Sequence, residues 1–238
     1  MRVLITTSPL YGHFFPMLPL IAALRQDGHE VTVATGPDLA DAVRRRNLRM
    51  WEVGPSMAEV FAGLRHRRPE VTATSSSDPA AALRRDAMAT FGEPGLARTA
   101  ELLPLVEAEP PDVIVHEQGD LAGWMISSRL GQRPVAHGYG PHLPMTRPLA
   151  EILLAAGVER FGFGPAGDPF GDAVYLDPWP RRLQSPEEVG YGRVLAIRPD
   201  QEPSGSVDHL PPGFERLPQP QNGVRDARHR LHRLRHAA

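Results

Sequence analysis

The chain contains no cysteine, which excludes disulfides and thiolate–metal sites. It contains no lysine either: all 26 basic residues are arginine. With alanine, glycine and proline abundant, this points to a very GC-rich coding sequence. No apolar run approaches the ~18 residues that a membrane-spanning helix needs. The N-terminus, MRVLITT, opens directly on a strand without the layout of a signal peptide, so a cytoplasmic location is the expectation. A net charge of −2 gives no electrostatic basis for general nucleic-acid binding. The loop after the first strand carries neither the dinucleotide fingerprint G-x-G-x-x-G nor a Walker A pattern, and the chain shows no internal repeat.

What is present fits an ordinary globular chain: 238 residues, 41% hydrophobic and 23% charged. Residues 2–7 (RVLITT) are β-branched and apolar, as a buried parallel strand requires. Residues 16–27 show a helical apolar face, and Gly28 supplies a C-terminal stop. His29–Thr35 reads as a second strand, Pro37–Asp38 opens a helix running to about Arg46, and Leu48–Val53 reads as a third strand. From about Pro55 to Gly92 the pattern is less regular, with a loop at SSSDP (75–79) capping a short helix. A helix at 93–108, a strand at 112–116, a helix at 119–130 stopped by Gly131 and a strand at 133–137 follow. Tyr175–Leu176 reads as a further edge element. The alternation with short connections predicts an α/β fold with a doubly wound, Rossmann-like parallel sheet.

In such sheets ligands bind beyond the carboxyl ends of the strands. His13, in SPLYGHFFPMLPL after the first strand, lies on that edge. A neutral imidazole can take a proton from a hydroxyl near pH 7. Glu117 ends the fourth strand on the same edge, and a carboxylate within reach of a histidine holds its tautomer and stabilises the imidazolium. The same positions also fit a loop histidine bonded to backbone and a solvated strand-end glutamate.

Three motifs tie these positions together: G-H-x-x-P after strand one, G-H-E-V-T after helix one, and P-D-V-I-V-H-E at strand four. Together they resemble the N-terminal half of GT-B glycosyltransferases that use nucleotide sugars, above all the actinobacterial antibiotic and macrolide enzymes. The resemblance runs from residue 1 to about 217. It implies an N-terminal acceptor-binding Rossmann-like domain over 1–197 and an interdomain linker over 198–221. It implies that His13 is the general base of an inverting transfer, supported by Glu117 where the family usually carries aspartate. Phe14, Phe61, Met88, Phe91, Trp124 and Met145 are the candidates for lining the acceptor pocket, although such side chains are also ordinary core residues. The implied partner is a hydrophobic, hydroxylated small-molecule acceptor. The implied co-substrate is a nucleotide sugar, with no cofactor and no metal.

The resemblance stops short of the family's second domain: no H-C-G-x-G-T-like motif and no second β-α-β series follow. The last residues, NGVRDARHRLHRLRHAA (222–238), change composition. Codons for this stretch can be chosen so that, one base out of frame, they read T-V-Y-V-T-L-G-T-V-F-T, which resembles the opening strand and turn of that second domain. The expectation is a disordered, out-of-frame tail on a truncated chain that is inactive alone, because both substrates must be held together for transfer. Surface that would face the second domain favours self-association. Two other readings remain open on sequence: an accessory protein that binds and activates a partner glycosyltransferase, and a flavodoxin-like nucleotide binder. The lack of a phosphate-site motif counts against the latter.

Overall fold

The computed structural model describes residues 1–63, 79–142, 146–184 and 190–197. Met145 and the segments read as linker (198–221) and tail (222–238) lie outside these residues.

Seven strands form one sheet: β1 (Arg2–Thr6), β2 (Glu30–Thr35), β3 (Arg49–Glu52), β4 (Val113–Glu117), β5 (Val135–His137), β6 (Val174–Asp177) and β7 (Arg193–Ala196). Their order is β3-β2-β1-β4-β5-β6-β7, and every adjacent pair is parallel. The chain winds outward from β1 to β3, returns to the centre, and winds outward again from β4. The reversal between β1 and β4 creates a switch point, with Thr6 opposite His116 at the carboxyl end. The expected doubly wound parallel sheet is what the structure shows.

Helices cover both faces because strand alternation sends successive side chains to opposite sides. Val3, Ile5, Val31, Val33 and Val115 pack against Phe14, Met17 and Ile21 and against Leu39 and Val43. These come from α1 (Tyr11–Phe14), the 3-10 turn Phe15–Met17, α2 (Leu18–Gln26), and the 3-10 turn Pro37–Leu39 that leads into α3 (Ala40–Arg44). On the other face Leu4, Ala34 and Ile114 meet Leu102 and Val106 of α5 (Glu93–Ala108) and Ala122 and Ile126 of α6 (Leu121–Arg129). A third cluster joins Trp124 and Met125 to Leu153 and Leu154 of α7 (Thr146–Phe161), with Phe170 and Tyr175.

The glycine stops work as the sequence suggests. Gly28 and Gly131 adopt φ of +78° and +63°. In each case the glycine amide and the one after it donate back into the last helical turn: Gly28 to Arg25 and His29 to Leu24, Gly131 to Ser128 and Gln132 to Ser127. This pair of hydrogen bonds closes the helix and turns the chain into the next strand.

Three elements differ from the sequence reading. The loop after β1 is helical: α1, the 3-10 turn and α2 follow one another, so His13 sits in a single helical turn. Residues 79–108 form a nearly continuous helical run, in which α4 (Pro79–Ala87) passes through a π-helical turn, Met88–Gly92, into α5. Pro94 falls in the first turn of α5, where a missing N–H costs nothing. β6 is internal rather than an edge, because β7 pairs with it; α7 and β7 carry no periodic signal in the sequence.

Candidate active site

The switch point brings two chain segments together. His13 projects from α1, just beyond β1, and Glu117 is the last residue of β4. Their side chains meet with His13 Nδ1 2.8 Å from Glu117 Oε2. Glu117 is fully buried and His13 is 12% exposed by side chain. A carboxylate only accepts, so Nδ1–H donates to Glu117 and Nε2 is left with its lone pair. The other Glu117 oxygen, Oε1, accepts from the Gly119 amide, which fixes the carboxylate on both sides. The His13 ring stacks on Tyr139 with centroids 4.1 Å apart and 22° between planes, and Phe91 lies at 6.3 Å.

Burial of His13 disfavours its charged form, but the Glu117 charge and hydrogen bond overcome this and raise its pKa above the usual histidine value; Asp120 adds to the rise and Arg98 opposes it. Two neighbouring histidines go the other way. His116 is pushed down by burial, and His137 is pushed down to about 4 by the same cause. Each donates Nδ1–H to a backbone carbonyl, His116 to Glu117 at 2.9 Å and His137 to Gly138 at 2.7 Å. Burial, reinforced by the Glu117 charge, raises the Tyr139 phenol to about 12, so it stays a neutral donor. Within this group His13 is the histidine shaped to exchange a proton near neutral pH.

Beside the dyad opens a cavity of about 630 Å³, part of it open to solvent. Its walls are mostly apolar, with Phe91, Leu121, Trp124, Leu149 and Leu153 among them. Gln118 and Thr146 are the polar exceptions, and Tyr139 links the wall to His13. Such a chamber, apolar with few polar groups and one base at its edge, suits a small hydrophobic molecule carrying a hydroxyl.

Of the residues singled out in the sequence, Phe91 and Trp124 line this cavity. Met88 packs against the same cluster without lining the cavity. Phe14 is fully buried in the core under the sheet with Met17 and Ile21. Phe61 is 46% exposed and away from the cavity wall. Met145 lies outside the described residues. Sequence reading passed over Tyr139, Gln118 and Leu153. Tyr139 was within reach, since it follows β5 on the same carboxyl edge that singled out His13. Leu153 was not, because α7 itself was not visible. Among the described residues, no group of three or more His, Asp or Glu is arranged to hold a metal ion, and no helix is long and apolar enough to cross a membrane.

No family model matches the chain. It is 36% identical over 187 residues to the elloramycin glycosyltransferase ElmGT of Streptomyces olivaceus, a match covering 74% of this chain and 46% of that protein. To the L-demethylnoviosyl transferase of Streptomyces niveus it is 31% identical over 224 residues, 91% of this chain and 55% of that one. Among solved structures, the glycosyltransferase SnogD from Streptomyces nogalater superposes with a TM-score of 0.64 at 26% identity, covering 90% of this chain and 54% of that one. The spinosyn rhamnosyltransferase SpnG, solved with thymidine diphosphate, shares the fold with a TM-score of 0.60 at 22% identity, over 83% of this chain and 49% of its own. The chain spans about half the length of the relatives it matches. By sequence and by fold, it is homologous to the actinobacterial antibiotic glycosyltransferases and corresponds to the N-terminal domain of their GT-B architecture.

Proposed function

We propose that this chain is the acceptor-binding half of an inverting glycosyltransferase that moves a sugar from a nucleotide sugar to a hydroxyl of an apolar natural product. The observation that carries the reading is the His13–Glu117 contact of 2.8 Å at the edge of an apolar cavity. The acceptor lies in that cavity with its hydroxyl toward His13 Nε2. As the acceptor oxygen attacks the anomeric carbon, its proton passes to Nε2 and the imidazolium is held by Glu117. The bond from the anomeric carbon to the diphosphate breaks, and the nucleoside diphosphate leaves with the electron pair. Attack on the face opposite the leaving group inverts the configuration.

Donor binding belongs to the second domain that the resemblance implies, so the 238 residues alone hold one substrate and transfer little sugar. Residues 1–197 form the acceptor domain, 198–221 the linker, and 222–238 an out-of-frame tail. Reading the DNA on both sides of the Asn222 codon tests the tail: a shifted frame continuing into a second β-α-β domain supports it, and its absence removes it.

Thermal denaturation of this chain tests the division of labour. Apolar, hydroxylated aglycones are expected to raise Tm, and Trp124→Ala is expected to abolish that shift. Thymidine diphosphate sugars are expected to leave Tm unchanged. A large stabilisation by the nucleotide sugar would overturn the assignment of donor binding to the second domain.

A further inference from the structure

Arginine is almost never fully buried unless it is paired. Arg98 on α5 is 1% exposed, and Asp120 is fully buried. Arg98 Nε donates to Asp120 Oδ1 at 3.0 Å, and Nη2 lies 2.9 Å from the same oxygen. The backbone at Gly54 closes over the guanidinium, leaving only 3.3 Å between Nη1 and the place a Cβ would occupy. Asp120 also caps α6, its Oδ2 accepting from the Gly123 amide at 3.3 Å. Capping alone calls for no guanidinium, since asparagine or serine caps as well as aspartate. Nor does stability alone, since a buried ion pair gains little over apolar side chains of the same volume.

The turn that holds Asp120 begins with Glu117. The Asp120 amide donates to the Glu117 carbonyl at 2.9 Å, and between them Gln118 Oε1 accepts from the Tyr175 hydroxyl at 3.0 Å. One short turn thus carries two buried carboxylates, Glu117 in contact with His13 and Asp120 in contact with Arg98. The charged groups acting on His13 are Glu117 and Asp120 at the end of β4 and Arg98 from α5. Its ring neighbours Tyr139 and Phe91 are uncharged, and His116 and His137, on β4 and β5, are kept neutral by burial. Without Arg98, the effect of the Asp120 charge on His13 would be unopposed.

We propose that Arg98 and Asp120 are a positioning pair for the His13–Glu117 dyad: Asp120 anchors the Glu117 turn to α5, and the Arg98 guanidinium balances the second carboxylate. Arg98 thereby keeps His13 from holding its proton too tightly to act as a base, and Asp120 acts in the opposite sense. The proposal rests on the reading of His13 as general base, but its test does not require sugar transfer.

The test is an NMR titration of ¹³C-histidine in the 238-residue chain, with the His13 signal identified by its loss in His13→Ala. Asp120→Asn keeps a capping side chain and removes the charge, so His13 titrates at lower pH than in the parent. Arg98→Met removes the cation, so His13 titrates at higher pH. Arg98→Lys restores the charge and returns the titration toward the parent. Shifts of opposite sign in Asp120→Asn and Arg98→Met support the pair. An unchanged His13 titration in folded Asp120→Asn overturns it, and that variant decides the matter if Arg98→Met does not fold. Failure of the base assignment is seen separately, as full transfer activity of His13→Ala in an enzyme containing both domains.

Discussion

The two wings of the sheet are built from different materials. Around β2 and β3 the buried side chains are aliphatic: Val31, Val33, Leu39, Ala42, Val43 and Leu48. Around β4 to β6 aromatic rings and histidines join the aliphatic side chains: Trp124 against His116 and Phe170, Tyr175 stacked on Tyr191, and His142 against both tyrosines. The aromatic wing also holds buried polar atoms that lack partners among the described residues, including those of His116, Trp124, His137 and Tyr191. Such atoms lower stability. Branched aliphatic side chains interlock in the first wing, whereas in the second the rings of Phe91, Trp124 and Tyr139 share the cavity wall with Leu121, Leu149 and Leu153. One wing is thus an aliphatic core and the other surrounds the cavity, with the His13–Glu117 contact on the seam between β1 and β4.

The largest expected effect lies on the seam. In an enzyme containing both domains, His13→Ala lowers turnover by about 10²–10⁴-fold, or ~3–5 kcal/mol of barrier. A variant at full rate removes His13 from the mechanism.

Next come paired deletions in the two materials. Ile5→Ala, in the filled aliphatic cluster, is expected to destabilise by about 2–5 kcal/mol in urea denaturation and to leave aglycone affinity unchanged. Leu153→Ala, on the cavity wall, loses contacts on one side only and is expected to cost less than Ile5→Ala, while weakening aglycone binding. Equal costs would break the contrast between the wings.

Acid should attack the aromatic wing first. His137 is held down to about 4 in the fold, against 6.5 when unfolded. Between these values the unfolded chain binds a proton that the folded chain does not. Stability is therefore fully present above about pH 6.5 and falls as pH drops toward 4, by on the order of 3 kcal/mol. His137→Gln should flatten that part of the denaturation-versus-pH profile, and an unchanged slope would count against the assignment.

Glu117→Gln carries the smallest expected effect. It removes the charge that raises the His13 pKa, leaving burial to lower it. The acid limb of the rate profile of a two-domain enzyme moves to lower pH, with a smaller loss of rate than in His13→Ala. A limb that stays in place would separate Glu117 from the dyad.

The legible parts of the molecule were those with local causes. RVLIT reads as a buried parallel strand because apolar β-branched residues have few other uses in such a run, and Gly28 and Gly131 read as helix stops because a left-handed residue is needed there. α7 was not legible: TRPLAEILLAAGVERF is apolar on several sides and has Pro148 in its first turn, so no single stripe marks it. β7 was missed because RVLA is short and half-exposed at the sheet edge. For the site, the strand-edge rule pointed to both His13 and Glu117, yet of the five candidate pocket residues that are described, two line the cavity. An aromatic or methionine looks the same in sequence whether it faces a ligand, the core or solvent.

By itself the sequence determined the strand–helix alternation, the parallel sheet and the presence of a histidine and a glutamate at strand ends, because each follows from residue type and period along the chain. Tertiary structure alone decided that residues 13 and 117, 104 positions apart, would touch. It also decided that Tyr139 would stack on His13 and that a buried arginine from α5 would pair with Asp120 in the turn after β4. Those contacts depend on which strands become neighbours at the reversal of the sheet, a property of the whole packed chain that no local stretch encodes.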